Sequence, residues 1–394
     1  MASGEHVCEL YARHAVSADV CIVEGMMGMF DGYDRDRGSS AEIAQLLQLP
    51  VVLVVDAKSA AYSMAPLLSG FIHFRPDVRI AGVIFNRVGS PRHYEMLREV
   101  CAEVGITCLG YLPKEKVLEQ ESRYLGLDFS RSKGTDAIGT LIRLLEQCVD
   151  WKLLLAKTAV PLRETRERDK EFVGGRKPGN LRILVARNEE SFSFIYEEHL
   201  EMLRGMGNVS FFDPEKDVPI AQDTDLLYLP GGYPEKHSMA LAGARQVKES
   251  VREYIERGGK TLAECGGMIY LSYAIGYDKR EHESGGSGFD RMAGVFPFYI
   301  SNESEYRKLT LGYRSFDYKG QRLRGRRVSL YAVRQVGDGL SMTVKKELYM
   351  PPTVVQVYNA KGQPVNTPVF RYKNTIASYT HLYWGETDIM RLFE

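Results

Sequence analysis

The sequence predicts an α/β protein made of two parallel-sheet domains in series. Short runs of β-branched and aliphatic residues alternate with segments whose apolar residues recur at helical spacing. The short runs are almost continuously apolar, as strands buried on both faces are, instead of alternating polar with apolar. The alternation stops in a charged stretch near the middle of the chain and resumes beyond it, which separates the two domains.

In the first 150 residues, Asp19 to Val23, Val51 to Val55, Arg79 to Phe85 and Thr107 to Gly110 read as strands. Ala41 to Gln48 and Arg92 to Val104 read as helices between them. From Trp151 to Asn180 the pattern dissolves into RETRERDKEFVGGRKPGN, the expected interdomain linker. The apolar run LRILVA at Leu181 opens a second series, with strands expected near Val209 to Phe212, Leu226 to Leu229, Lys260 to Ala263 and Thr375 to Tyr379. The stretch EHESGGSGFD (281 to 290) has the composition of a surface loop.

Bulk properties bound the function. With 394 residues, 44% of them hydrophobic and 26% charged, the chain has enough apolar mass for two folded domains. Its 51 Lys and Arg balance 51 Asp and Glu, so no net field favours nucleic acid or an anionic membrane, and a small-molecule partner is expected. The six cysteines show no C-x-x-C pair or zinc-site spacing, which suits a reducing, cytoplasmic setting. No apolar run approaches the roughly 18 residues of a membrane span, and no signal-peptide pattern opens the chain.

Chemistry concentrates first in KTLAECGGMIYL. Cys265 stands between a strand and a helix, with small residues Ala263 and Gly267 two positions to either side, as a strained nucleophile elbow requires. Such a turn is expected to expose the thiol and to place it at a helix N-terminus, whose partial positive charge favours thiolate. A small buried cysteine at a strand end has the same local pattern. In DLLYLPGGYPEKH, glycines follow an apolar strand, and backbone N–H groups of Gly231 or Gly232 with that of Gly266 are candidates for an oxyanion hole; a plain glycine turn is the alternative. His381, in IASYTHLYW, is the candidate base and acid, although a histidine after a strand is more often structural.

Taken together, GGYPE, AECGG and SYTH in this order resemble the class I glutamine amidotransferase domain of the cobyrinic and cobyric acid synthase type. The resemblance covers nearly all of residues 181 to 394, including ARNEESFSFIYEEHLEML, and implies a flavodoxin-like fold. It also implies a γ-glutamyl thioester on Cys265, proton shuttling by His381 and release of ammonia toward a synthetase domain. Most class I domains carry Glu two residues after the catalytic histidine; Tyr383 stands there, as in the cobyrinic branch. Glu264 is a conceivable substitute orienter, but a strand neighbour of Cys265 is expected to point the other way.

In the first domain, DVCIVEGMMGMFDGYD delivers Glu24 and Asp31 to the carboxyl end of an expected strand, where α/β sheets bind ligands and hard oxygens suit Mg²⁺; solvated turn chemistry for Glu24, Asp31 and Asp34 is the plainer reading. VEGMMGMFDG and GVIFNRVGSPRHYEML resemble the two signatures of cobyrinic acid a,c-diamide synthases, which implies a P-loop-type, dethiobiotin-synthetase-like fold. By that resemblance Glu24 would hold Mg²⁺, Asp31 would act around ATP or the activated carboxylate, and Asn86 would read the adenine. SRYLGLD matches a further stretch of the family except at Tyr124, where the family has His.

The family's P-loop, G-x-x-x-x-G-K-[ST], does not occur; the only GK[ST], Gly259-Lys260-Thr261, lacks the earlier glycine and enters the Cys265 strand. The expectation is therefore an N-terminally truncated first domain, with an unpaired sheet edge prone to aggregation or to a partner, either a second copy or a second chain that supplies the P-loop. RLRGRRVSLYAVRQ stands where the family has a histidine-containing segment, so Arg326 and Arg327 read as an exposed basic strand or as contacts to a polyanionic tetrapyrrole. The resemblance implies ATP- and glutamine-dependent amidation of the a and c acetates of cobyrinic acid. A nickel-sirohydrochlorin a,c-diamide synthase, or a glutaminase or scaffold partner without ATP-dependent activity, are the alternatives.

Overall fold

In this computed structural model the apolar runs become strands wherever a neighbour completes their backbone hydrogen bonds. The structure describes residues 1–119, 122–123, 126–127, 134–161, 179–276, 288–301, 309–329, 332–335 and 351–394. Tyr124, the charged stretch 162–178 and most of the 281–290 loop lie outside the described residues. The chain divides into two compact units, Val7–Thr165 and Arg166–Glu394, the latter joined by Met1–His6.

In the first unit, β1 (Val51–Asp56), β2 (Ile80–Val88) and β3 (Cys108–Pro113) form a parallel sheet in the order β1-β2-β3. Helices Ser40–Leu47, Met64–Phe74 and Pro91–Val104 connect or flank them. The last begins with Ser90, whose hydroxyl accepts the His93 N–H at 3.2 Å, then Pro91 at the first helical position, and ends on Gly105 at φ 74°. Its Leu97, Val100 and Cys101 pack with Leu53, Leu68, Val83 and Phe85 in one core.

The expected strand Asp19–Val23 does not form. The run pairs with no strand, β1 is a sheet edge bonded only to β2, and Ile22 is 90% exposed. A β-branched run becomes a strand only when a ladder takes up its N–H and C=O groups, and propensity alone does not substitute for that partner. Trp151–Thr158, within the stretch expected to be linker, is helical and is capped by the Asp150 side chain.

The second unit is built on β4 (Leu181–Ala186), β5 (Gly207–Phe212), β6 (Leu226–Leu229) and β7 (Thr261–Glu264). Further along the chain come β8 (Thr310–Tyr318), β9 (Gln321–Ser329), β10 (Val357–Asn359), β11 (Pro364–Val365), β12 (Val369–Tyr372), β13 (Thr375–Ser378) and β14 (Thr380–Tyr383). A six-stranded sheet runs β12-β13-β7-β6-β4-β5, parallel except where β12 meets β13. Both faces of this sheet are covered, which explains its continuous apolar strands. Leu227 and Leu229 lie in the core with Val247, Val251 and Tyr270, whereas Leu226 and Tyr228 lie in the other with Leu203, Leu382 and Trp384.

A second, antiparallel sheet runs β11-β10-β8-β9-β14 and ends on β14 as its edge strand. Because β6 and β7 are parallel neighbours, Pro230-Gly231-Gly232 and Cys265 emerge side by side at their carboxyl ends. β13 ends at the same level, opposite Glu264, and one residue later the chain enters β14 with His381.

Candidate active site

Cys265 sits in a conformation that an L-residue adopts only under constraint, φ 46° and ψ −101°, between β7 and the helix Gly266–Leu271. The constraint is visible on both sides. The Cys265 N–H donates to the Ser378 carbonyl at 2.7 Å, and its carbonyl accepts the Ile269 N–H at 3.0 Å. The Gly267 N–H donates to Pro230 O at 3.0 Å, and a Cβ at Gly267 would lie 2.1 Å from the Leu229 carbonyl, so only glycine lets the elbow pack on β6.

Two expectations about this cysteine are corrected. It is not exposed: 6% of its surface is accessible, and its thiol approaches Val328 O at 3.5 Å. Nor does the helix make it a thiolate. Burial, seconded by the negative charge of Glu235, pushes the Cys265 thiol up to about 12, against the smaller opposing effects of the Gly266 N–H and Arg327. A helix of six residues contributes too little to offset removal from water. The resting form is the thiol.

His381 lies over the glycine loop. A Cβ added to Gly231 would stand 2.2 Å from Cε1 and 2.8 Å from Nδ1 of the imidazole, so the ring occupies the space that any larger residue would need. Gly231 is held in place by its carbonyl, which accepts the Phe194 N–H at 3.0 Å. Burial and then the adjacent Arg326 cation push His381 down to about 4, so the imidazole is neutral and able to accept a proton.

Gly232 N and Gly266 come together: a Cβ on Gly266 would lie 2.9 Å from the Gly232 nitrogen. These two glycines therefore border a single small space beside Cys265, while Gly231 forms the floor under the imidazole. The same Cβ position on Gly266 is 3.3 Å from the Gly231 carbonyl carbon, so all three oxyanion candidates meet at this point.

Tyr383, at the position where most class I domains have a glutamate, donates to Glu198 Oε2 at 2.5 Å, and His6 Nε2 lies 2.6 Å from the other oxygen of the same carboxylate. Glu264 does point away from Cys265. It is buried, accepts from the Tyr228 hydroxyl at 2.8 Å and from the Leu382 N–H at 3.2 Å, and burial lifts its carboxyl to about 8. The basic strand is exposed at Arg322 and Arg324 but not at Arg326 and Arg327. Arg327 in particular turns away from solvent. It is half-buried over the Tyr379 ring, donates to Ser329 Oγ, Asn366 O and Thr367 Oγ1, and pairs with no carboxylate among the described residues. Thr367 lies outside every quoted motif, and although Ser378 falls in SYTH and His199 in ARNEESFSFIYEEHLEML, only contacts in the fold show what the three side chains touch.

The first-unit candidates are less gathered. Glu24 and Asp31 are exposed, Asp31 donating its N–H to Gly28 O at 2.9 Å, and Asp34 forms a short bridge with Arg37. Asn86, on β2, accepts the Arg87 N–H at 2.9 Å through its side chain, and Asp56, on the neighbouring strand, is ion-paired with Arg87. Among the described residues, no three His, Cys, Asp or Glu side chains cluster as a metal cage. The Mg²⁺ of a nucleotide site takes one or two carboxylates and fills its remaining positions with phosphate oxygens and water, so a lone, accessible Glu24 fits that role as a single donor.

A strained cysteine at a strand-helix elbow, a histidine over the neighbouring glycine loop and glycines bordering the elbow suit a cysteine-dependent amidotransferase of the class I type. Comparison with known proteins agrees: residues 182–389 match the CobB/CobQ-like glutamine amidotransferase domain, and residues 5–122 match an AAA domain. The chain belongs to the cobyrinate a,c-diamide synthase family. It is 33% identical to the cobyrinate a,c-diamide synthase of Caldanaerobacter subterraneus over 100% of this chain and 84% of that protein. With the cobyrinate a,c-diamide synthase of Priestia megaterium the identity is 32% over 99% of this chain and 82% of that one. The hydrogenobyrinate a,c-diamide synthase of Brucella abortus is 40% identical over 77% of this chain and 67% of its own length. No helix among the described residues is long and apolar enough to cross a membrane.

Proposed function

We propose that this chain uses glutamine and ATP to amidate the a and c acetate side chains of a corrin ring, cobyrinic acid in the first instance. Residues 181–394 act as the glutaminase and residues 1–150 as the synthetase. The observation that carries the reading is the strained Cys265 elbow packed against the Pro230-Gly231-Gly232 loop on which the His381 imidazole is seated, since it brings a thiol and an imidazole to the same loop.

In the first step His381 takes the thiol proton as Cys265 Sγ bonds to the glutamine δ-carbon, and the carbonyl oxygen becomes an oxyanion facing the Gly232 and Gly266 N–H groups. His381 then returns the proton to the departing nitrogen, leaving ammonia and a γ-glutamyl thioester. Water attacks the thioester, His381 accepts its proton, and glutamate leaves with the thiol restored. Arg327, a guanidinium that pairs with no carboxylate among the described residues, is the group we assign to the glutamine α-carboxylate.

Ammonia displaces phosphate from a ring carboxylate that ATP has activated as an acyl phosphate. Glu24 would hold the Mg²⁺, which neutralises phosphate charge when bound, with Asp31 and Asn86 on the nucleotide side. The test is amide formation on cobyrinic acid by the purified chain with ATP and either glutamine or ammonia. Cys265→Ala should lose the glutamine-dependent reaction and keep the ammonia-dependent one. Loss of neither would overturn the assignment of Cys265, and failure with both nitrogen sources by the parent chain would overturn the ATP-dependent half.

A further inference from the structure

His381 is carried on β14, and β14 is the edge of its sheet, bonded to β9 on one side only. An edge strand leaves every second N–H pointing outward, and such groups must be solvated or capped if the strand is to hold a fixed position. Here they are all taken by buried side chains. Thr380 N–H donates to Ser378 Oγ at 3.1 Å, Leu382 N–H to Glu264 Oε1 at 3.2 Å, and, just beyond the strand, Trp384 N–H to His199 Nε2 at 3.2 Å.

The middle acceptor differs from the others in where it comes from. Glu264 is the residue before the nucleophile, and Leu382 is the residue after the histidine. One carboxylate, 3% exposed and anchored at its other oxygen by Tyr228, therefore ties the strand of Cys265 to the strand of His381, although β7 and β14 belong to different sheets.

We propose that Glu264 is a positioning residue for glutamine hydrolysis, fixing the His381 strand against the Cys265 elbow through the Leu382 N–H. This rests on the reading of Cys265 and His381 as the hydrolytic pair. It takes over, through the backbone, the orienting task that a side chain two residues after the histidine performs in most class I domains. Either protonation state of the carboxyl keeps a lone pair for Leu382, so the requirement is for an acceptor oxygen and not for charge.

The test compares steady-state glutaminase kinetics of the full chain and its variants. Glu264→Gln keeps an acceptor oxygen at the same reach and should retain kcat within about threefold. Glu264→Leu keeps the volume but not the acceptor, and should lower kcat on the order of 10- to 100-fold with KM little changed, because small errors in the placement of a reacting group cost that much. Leu97→Ala, a truncation in the separate core of the first unit, should lower the melting temperature without lowering kcat of the folded protein, which separates positioning from general loss of stability. If Glu264→Leu does not fold, the more adaptable Glu264→Met takes its place.

Full kcat in Glu264→Leu or Glu264→Met, or a large loss in Glu264→Gln, would overturn the proposal. Hydrolysis that survives Cys265→Ala would instead overturn the reading on which it rests.

Discussion

Replacing Gly231 by alanine tests the geometry of the pair with a single methyl group. The new Cβ would stand 2.2 Å from Cε1 of His381, whereas ordinary van der Waals contact begins at 3.4 Å, so the ring must retreat by 3.4 − 2.2, or 1.2 Å. It cannot do so freely, because His381 is 9% exposed and its strand is capped on its outer edge. A displacement of ~1 Å in a reacting group costs about 100-fold in rate, equivalent to ~2.7 kcal/mol in the barrier. The assay is ammonia release from glutamine across a substrate series. The expected result for Gly231→Ala is a kcat lower by about two orders of magnitude with KM within a few-fold. Gly243→Ala, where a Cβ meets nothing within 4 Å, is the neutral control. A Gly231→Ala protein that hydrolyses glutamine at the parent rate would refute the placement of His381 over this loop.

Further outcomes follow from the same site. Gly266→Ala would fill the space next to the Gly232 nitrogen, where the oxyanion is placed, and should lower kcat by about 10²- to 10³-fold while leaving the fold intact by circular dichroism. The base must be neutral to accept the thiol proton, and His381 is held down to about 4 against an ordinary 6.5, so the acid limb of kcat/KM for glutamine should lie well below pH 6. Arg326→Gln removes one cause of that depression, so it should move the limb to higher pH; no movement would contradict the contribution of Arg326. Arg327→Gln should raise KM for glutamine by about tenfold or more, the usual loss of a charge-assisted pair, and should leave the ammonia-dependent reaction unchanged.

How much of this was legible in the sequence depends on whether the signal was local. LRILVA and the strand Leu226–Leu229 appear where their apolar runs place them, because strands buried on both faces need little else to declare themselves. The elbow at Cys265 was legible because a strand, a cysteine and two glycines are contiguous. The Asp19–Val23 run has the same composition as a strand and forms none, since pairing is a property of neighbours and not of the segment. The protonation of Cys265 was misread for a related reason. A helix start is visible in sequence, whereas the burial that outweighs it is not. Glu264 was rightly expected to point away from the thiol, yet its contact with Leu382 joins residues 118 positions apart, and no spacing rule reaches that far. For Arg327 the sequence leaves an exposed strand and a substrate contact as alternatives, and only the fold lays it over Tyr379 near Cys265.

The most direct test of the central claim is covalent labelling of the full chain with a reactive glutamine analogue, 6-diazo-5-oxo-L-norleucine, followed by peptide mass mapping. All six cysteines are free thiols, so the reagent has alternatives. The account predicts a single labelled residue, Cys265, protection by glutamine, and loss of hydrolysis in step with labelling. Inactivation that labels another residue, or hydrolysis that persists when Cys265 is fully modified, would contradict it.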